Sequence, residues 1–177
     1  MKTMAPLDFG TLDFGTVIAF LLPGFVTFYS LIFVSPRASE LVTASLTKDA
    51  SAGILLFLML SSLATGVVVS AFRALFVDWL QFKTGVKKPD LDFSKLTEEH
   101  TLKAFNEAIA NTFRFSQFYG NLLVGIVLLL AGKCWSKFDL TNEWLVYSIL
   151  VITIMVLFLS HRRALDQTYK TLEKILS

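Results

Sequence analysis

Four long stretches almost free of charge limit what this chain can become more than any other feature. They cover residues 16–34, 52–77, 118–135 and 144–160, and the only charges inside them are Arg73 and Lys133. The first stretch holds nineteen uncharged residues. As a helix it would extend about 28 Å, close to the hydrocarbon thickness of a bilayer. Apolar residues make up 54% of the 177-residue chain, and the mean hydropathy is +0.63. A water-soluble domain of this size has too little interior to hide so much apolar sequence. The expected fold is an all-α integral membrane protein with four transmembrane helices arranged as two hairpins. A cytosolic amphipathic helix stands in the middle and an amphipathic tail helix ends the chain. In numbers, this is one membrane domain with an interfacial segment 1–15, spans 16–34 and 52–77, a polar segment 78–117, spans 118–135 and 144–160, and a tail 161–177.

Placement of the cations sets the expected orientation. With four spans, both termini and the polar middle share one side. That side carries Lys2, seven Lys/Arg from Arg73 to Arg114, and Arg162, Arg163, Lys170 and Lys174, twelve in all. The other side carries Arg37, Lys48, Lys133 and Lys137. Short loops rich in Lys and Arg stay in the cytoplasm, so both ends and the polar middle are expected on the cytoplasmic side of the membrane. The first apolar run is longer than a signal-peptide core and no A-x-A site follows it, so cleavage is not expected.

Within this frame several local patterns carry structural meaning. Residues 7–16 repeat Leu-Asp-Phe-Gly-Thr twice. This suits an interfacial segment in which Asp13 or Thr16 caps the first helix. Pro23 and Gly24 predict a kink or break in span one, because proline lacks the ladder N–H and crowds the preceding turn. Ser35-Pro36 would end that helix before a short polar loop, 35–51. In span two, Ser62, Gly66 and Ser70 recur every fourth residue, a small-residue stripe that admits a close helix from the same chain or from a second copy. Arg73 sits where its side chain would snorkel to the headgroups, with Asp78 as an interface ion-pair partner. Thr27, Ser30, Thr65 and Asn121 are neutral polar groups suited to lining a pore or cavity.

A helix is expected from an N-cap at Thr97, with Glu98 and Glu99 in its first turn. Leu102, Phe105, Ile109 and Phe113 form its apolar stripe, a surface for membrane, bundle or protein partner. This helix can run on into span three. In the tail, Leu165, Tyr169, Leu172 and Leu176 make a seam that suits contact with the polar middle or a neighbouring subunit. Asp166 and Lys170 form an i, i+4 surface pair.

Reactive chemistry is sparse. There is no phosphate-binding glycine loop, no HExxH and no nucleophile elbow. His100 and His161 are the only histidines, and neither has a triad-like setting in the sequence. Glu98, Glu99 and His100 are adjacent, so on a helix they diverge rather than converge on a metal. The lone Cys134 permits neither an internal disulfide nor a cysteine metal cluster. The expectation is a non-enzyme with no catalytic residue, metal site or cofactor. The lysines near Lys87-Lys88 suit anionic headgroups, and nucleic acid is not an expected partner.

One resemblance bears on class. Ala19-Phe20-Leu21-Leu22-Pro23-Gly24-Phe25, Phe72-Arg73-Ala74-Leu75 with Asp78, Thr84-Gly85, Pro89, Asp92-Phe93 and Gln117-Phe118-Tyr119-Gly120-Asn121 are the matching residues. Over residues 16–125 the chain resembles a loose group of small, uncharacterised bacterial four-span membrane proteins. That resemblance brings no activity, but it draws interest to Arg73, Asp78 and 117–121.

Two functions follow as expectations. The first is a self-assembling homo-oligomer that forms a pore or perturbs the bilayer, as an effector of bacterial stress or anti-phage defence would. The second is a membrane anchor or scaffold subunit that recruits a cytosolic protein through residues 78–121 and the tail.

Overall fold

A computed structural model describes residues 14–45, 51–135 and 144–176. The tandem repeat up to Asp13, Lys48, Asp49 and residues 136–143 lie outside the described residues. Every described element is helical. Helix α1 covers Phe14–Ser30 and ends in a 3-10 turn, Leu31–Phe33. Helix α2 covers Pro36–Ser45, and α3 covers Ala52–Phe72. A π-turn, Arg73–Val77, joins α3 to α4, Asp78–Lys83. After a 3-10 turn at Phe93–Thr97 comes α5, Glu99–Ala108. A second π-turn, Ile109–Phe113, joins it to α6, Arg114–Trp135. Helix α7 runs unbroken over 33 residues, Trp144–Leu176, or about 50 Å.

Three helices among the described residues are long and apolar enough to cross a membrane: Ala52–Lys83, Arg114–Trp135 and Trp144–Leu176. The first apolar helix, Val17–Phe33, is shorter. Together they form an apolar stem in which α1 lies between α3 and α6, and α7 packs on the far side of α6.

Glycines set the tightest contacts of the stem. A Cβ on Gly24 would collide with the Ser62 carbonyl oxygen and come within 2.7 Å of the Gly66 nitrogen. A Cβ on Gly66 would collide with the Phe20 carbonyl oxygen. The backbones of α1 and α3 therefore touch, as small-xxx-small packing allows. Ser62 and Gly66 are buried in this contact and Ser70 is half-buried, so the stripe serves packing within one chain.

Of the expected kink or break at Pro23-Gly24, the break does not occur; α1 continues through it. Proline removes the N–H that would bond to the Ala19 carbonyl one turn back. The Asn121 Nδ2 group of α6 donates to that carbonyl at 3.0 Å. Thr27 Oγ1 donates to the Pro23 carbonyl at 2.9 Å. A neighbouring helix thus serves the carbonyl that the proline leaves open.

Two other boundaries differ from the sequence reading. Most of the expected loop 35–51 is helix α2, started by Pro36 at the first helical position and by Ser35 Oγ, which accepts the Ala38 N–H at 3.4 Å. Thr97 is not the cap of α5. Its hydroxyl donates back to the Ser94 carbonyl at 3.0 Å, and Glu98 occupies the cap position.

The charged head packs on the second half of α7. Leu165, Thr168, Leu172 and Leu176 are buried there, against α5, its π-turn and the 3-10 turn before it. The buried positions of the facing helix are Thr101, Ala108, Ser116 and Gly120. At about 100° per residue, Ser116 would drift off the face that holds Thr101 and Ala108. The π-turn at 109–113 accommodates one extra residue and restores the register. Leu102, Phe105, Ile109 and Phe113 lie beside the buried face: Leu102 is exposed and the other three half-buried.

Candidate functional site

Where the apolar stem meets the charged head, a polar hub ties three helices together. Arg73 opens the first π-turn. Residues five apart in an α-helix point about 140° away from each other. The wider π-turn, closed by the Asp78 N–H donating to the Arg73 carbonyl, brings the two side chains to one face. Arg73 Nη1 lies 3.0 Å from Asp78 Oδ2 and donates to Oδ1 at 3.2 Å. The guanidinium does not snorkel outward: Arg73 is only 4% exposed. Its stem fits against α6 because residue 120 is glycine. A Cβ there would sit 2.9 Å from Arg73 Cγ and 3.0 Å from His161 Cε1.

Asp78 also meets α7. His161 Nε2 lies 2.9 Å from Asp78 Oδ1. The other ring nitrogen, Nδ1, lies 2.9 Å from the Ser116 carbonyl oxygen and 3.2 Å from its hydroxyl. A ring with N–H at Nε2 donates to Asp78 and accepts the Ser116 O–H hydrogen bond at Nδ1. A ring with both N–H groups serves Asp78 and the Ser116 carbonyl together. Beside it, Gln81 Nε2 donates to the Phe158 carbonyl at 3.3 Å, a second tie to α7. Buried charge is tolerated here because each ion has a bonded counterpart. Arg73 Nε and Gln81 Oε1 remain buried without a partner. A donor and an acceptor in one hub are the groups an ordered water serves.

His161 therefore has the carboxylate and hydroxyl neighbours that the sequence reading did not give it. The signal was weak because Asp78 and Ser116 stand 83 and 45 residues away from it. The three residue types match a nucleophilic triad, but the setting does not. Ser116 and His161 are fully buried, and neither lines a described cavity.

The four side chains expected to line a pore lie elsewhere. Thr27, Ser30 and Asn121 are buried inside one copy. Thr27 and Asn121 bond as above, and Ser30 Oγ donates to the Thr27 carbonyl at 2.6 Å. Thr65 Oγ1 donates to the Ser61 carbonyl at 2.7 Å and is half-buried. None reaches the hub.

Farther along α7, Arg162 fastens the loop after α4. It donates to the Thr84 carbonyl at 2.7 Å and to its hydroxyl at 3.1 Å. Gly85 follows with φ +110°, a left-handed turn that favours glycine. Lys170 Nζ and Asp166 Oδ2 make an exposed pair at 2.6 Å.

Fold and hub together define a class: an all-helical protein whose apolar helices are long enough to span a bilayer, with a buried ionic junction beneath a charged head. Against family models, curated proteins and solved structures, the chain finds no match.

Proposed function

We propose that the protein is a membrane anchor and scaffold subunit. Its stem sits in a bacterial inner membrane as four spans, with both termini in the cytoplasm. Its head is a docking platform for a cytosolic protein. The observation that carries this reading is α7, one uninterrupted helix whose first half belongs to the apolar stem and whose second half is the core of the head. A head built on a rigid span is held at a fixed height and angle above the bilayer, which is what a docking platform needs. The hub locks the same helix to α4 and α6.

Internal commitment of the polar groups weighs against a pore built from this chain. Thr27, Ser30 and Asn121 are bonded inside one copy, and Ser62 and Gly66 are covered by α1. A self-assembling channel would have to open those contacts first. The proposed docking face is the exposed edge of the head, Phe93 and Leu102 with Phe105, where Phe93 and Phe105 meet edge to face at 6.4 Å. Exposed aromatics ringed by polar residues are common binding anchors.

The test has two arms. Protein reconstituted alone in liposomes should pass no ions. A photo-crosslinker at position 102, incorporated in the native host, should trap one discrete protein distinct from the chain, whereas the same group at Glu173 should not. Ion flux from the protein alone, or crosslinks at 102 only to a second copy, would contradict the scaffold. Either result would restore the self-assembling effector.

A further inference from the structure

We propose that the groove between α6 and α7 at the stem–head junction binds one membrane phospholipid by its phosphate. The groove has a volume of about 370 Å³. Its walls include Thr112, Phe115, Tyr119, Ser160, Arg163 and Gln167. This inference rests on reading the apolar helices as spans.

Three observations point to a phosphate at this height. First, the groove straddles the apolar–polar boundary on both of its helices. The uncharged run of α6 begins at Phe115, just after Arg114, and that of α7 ends at Ser160, just before His161. In a bilayer this is the headgroup level. Second, the lining is rich in donors and contains no acidic residue. Arg163 offers a planar fork that suits two phosphate oxygens. Ser160, Tyr119 and Gln167 add hydroxyl and amide groups. The Thr112 hydroxyl is already engaged, donating to the Ala108 carbonyl at 2.7 Å, and serves as wall. Third, Phe115 is exposed and stacks on Tyr119 with ring centroids 6.5 Å apart. That pair gives an aromatic flank for glycerol and the start of an acyl chain.

Asp166 stands three residues beyond Arg163 and borders the neighbouring groove. It is paired with Lys170 at 2.6 Å, which leaves the guanidinium fork available. The groove also lies next to the hub along both helices: Phe115 precedes Ser116, and Ser160 precedes His161. A bound lipid would therefore brace the two helices that the hub joins.

The test is native mass spectrometry of the protein in mild detergent, titrated with phosphatidylglycerol, with diacylglycerol of the same chains, and with inorganic phosphate. One phosphatidylglycerol should bind well below the background of nonspecific adducts, and diacylglycerol should not. Arg163→Gln should weaken that first binding tenfold or more. Tyr119→Phe and Ser160→Ala should weaken it less, and Lys174→Gln, an equal loss of charge elsewhere on α7, should leave it unchanged. Equal binding by wild type and Arg163→Gln would overturn the proposal, and so would competition by inorganic phosphate at comparable concentration. Carbonate washing of host membranes separates the two levels of the account. A protein that stays in the membrane but shows no lipid adduct loses this inference alone, whereas one that washes off loses the span reading as well.

Discussion

Helix α6 is held from two sides by opposite kinds of contact. Towards α1 the contact is neutral and close. Gly125 stands where a Cβ would lie 3.0 Å from Thr27 Oγ1 and 3.2 Å from the Pro23 carbonyl oxygen, and Asn121 donates to the Ala19 carbonyl. Towards α4 and α7 the contact is ionic, through Arg73, Asp78, His161 and Ser116. The neutral side gains dispersion and backbone proximity and has little room for an added atom. The ionic side gains directional bonds but carries a desolvation cost that is offset only while all partners are present. One interface is therefore sensitive to volume and the other to charge.

Substitutions can pull these two sensitivities apart. The largest effect is expected at the α1–α3 crossing, the tightest of the neutral contacts. Gly66→Leu places a side chain inside the Phe20 backbone and should prevent assembly of the stem, read as loss of trypsin-resistant protein in host membranes. A resistant, wild-type-like core in that variant would mean that the crossing is looser than described.

Asp78→Asn comes next. It leaves the Arg73 guanidinium buried without an anion, a change that costs about 3–5 kcal/mol when a buried pair is broken. Reversible unfolding in detergent measures it. The comparison sharpens if Arg73→Met, Asp78→Leu and His161→Phe are combined. Removing all the charges together should recover most of the loss, because the desolvation cost disappears with them. No equivalent rescue exists for Gly66.

Asn121→Leu should cost less, about 1–3 kcal/mol, by leaving the Ala19 carbonyl unpaired in the stem. The same unfolding measurement checks it, and no loss would mean that the proline step is satisfied in another way.

The smallest effect is expected at Asp92. Its carboxyl is held below the ordinary aspartate range by hydrogen bonds from the Ser94 side chain and backbone N–H. A folded value below the unfolded one stabilises the turn above the ordinary aspartate pKa. That support is lost as pH falls through the folded value. The protection factor of the Ser94 amide, measured against its intrinsic exchange rate, should fall over that acidic range in the wild type and show no such step in Asp92→Asn.

Much of this arrangement could be read from the chain because periodicity and charge are local signals. The apolar runs, the amphipathic tail with Leu165, Leu172 and Leu176, and the nearness of Asp78 to Arg73 are all visible within a few turns of sequence. What escaped reading depends on distance or on phase. His161 finds its partners across 83 and 45 residues. Asn121 repairs a proline step 102 residues from its acceptor. Nothing in either residue's neighbourhood announces those bonds. The two π-turns are the second source. Each holds one residue more than an α-turn, so a stripe counted at 3.6 residues slides to the wrong face. That is why Ser116 shares the buried face with Thr101 and Ala108, which a count at 3.6 residues per turn would not give. Helix α2 escaped because its composition is polar and its length short, although Ser35-Pro36 is a start signal as well as a stop.

The central claim is that the hub fastens the head to the stem as one unit. Hydrogen exchange on the protein in lipid nanodiscs, wild type against Asp78→Asn, tests it most directly. The account predicts that 73–83, 99–108 and 161–176 lose protection together in the variant, while α1 and α3 keep theirs. Faster exchange confined to 73–83, with the head as protected as before, would contradict it.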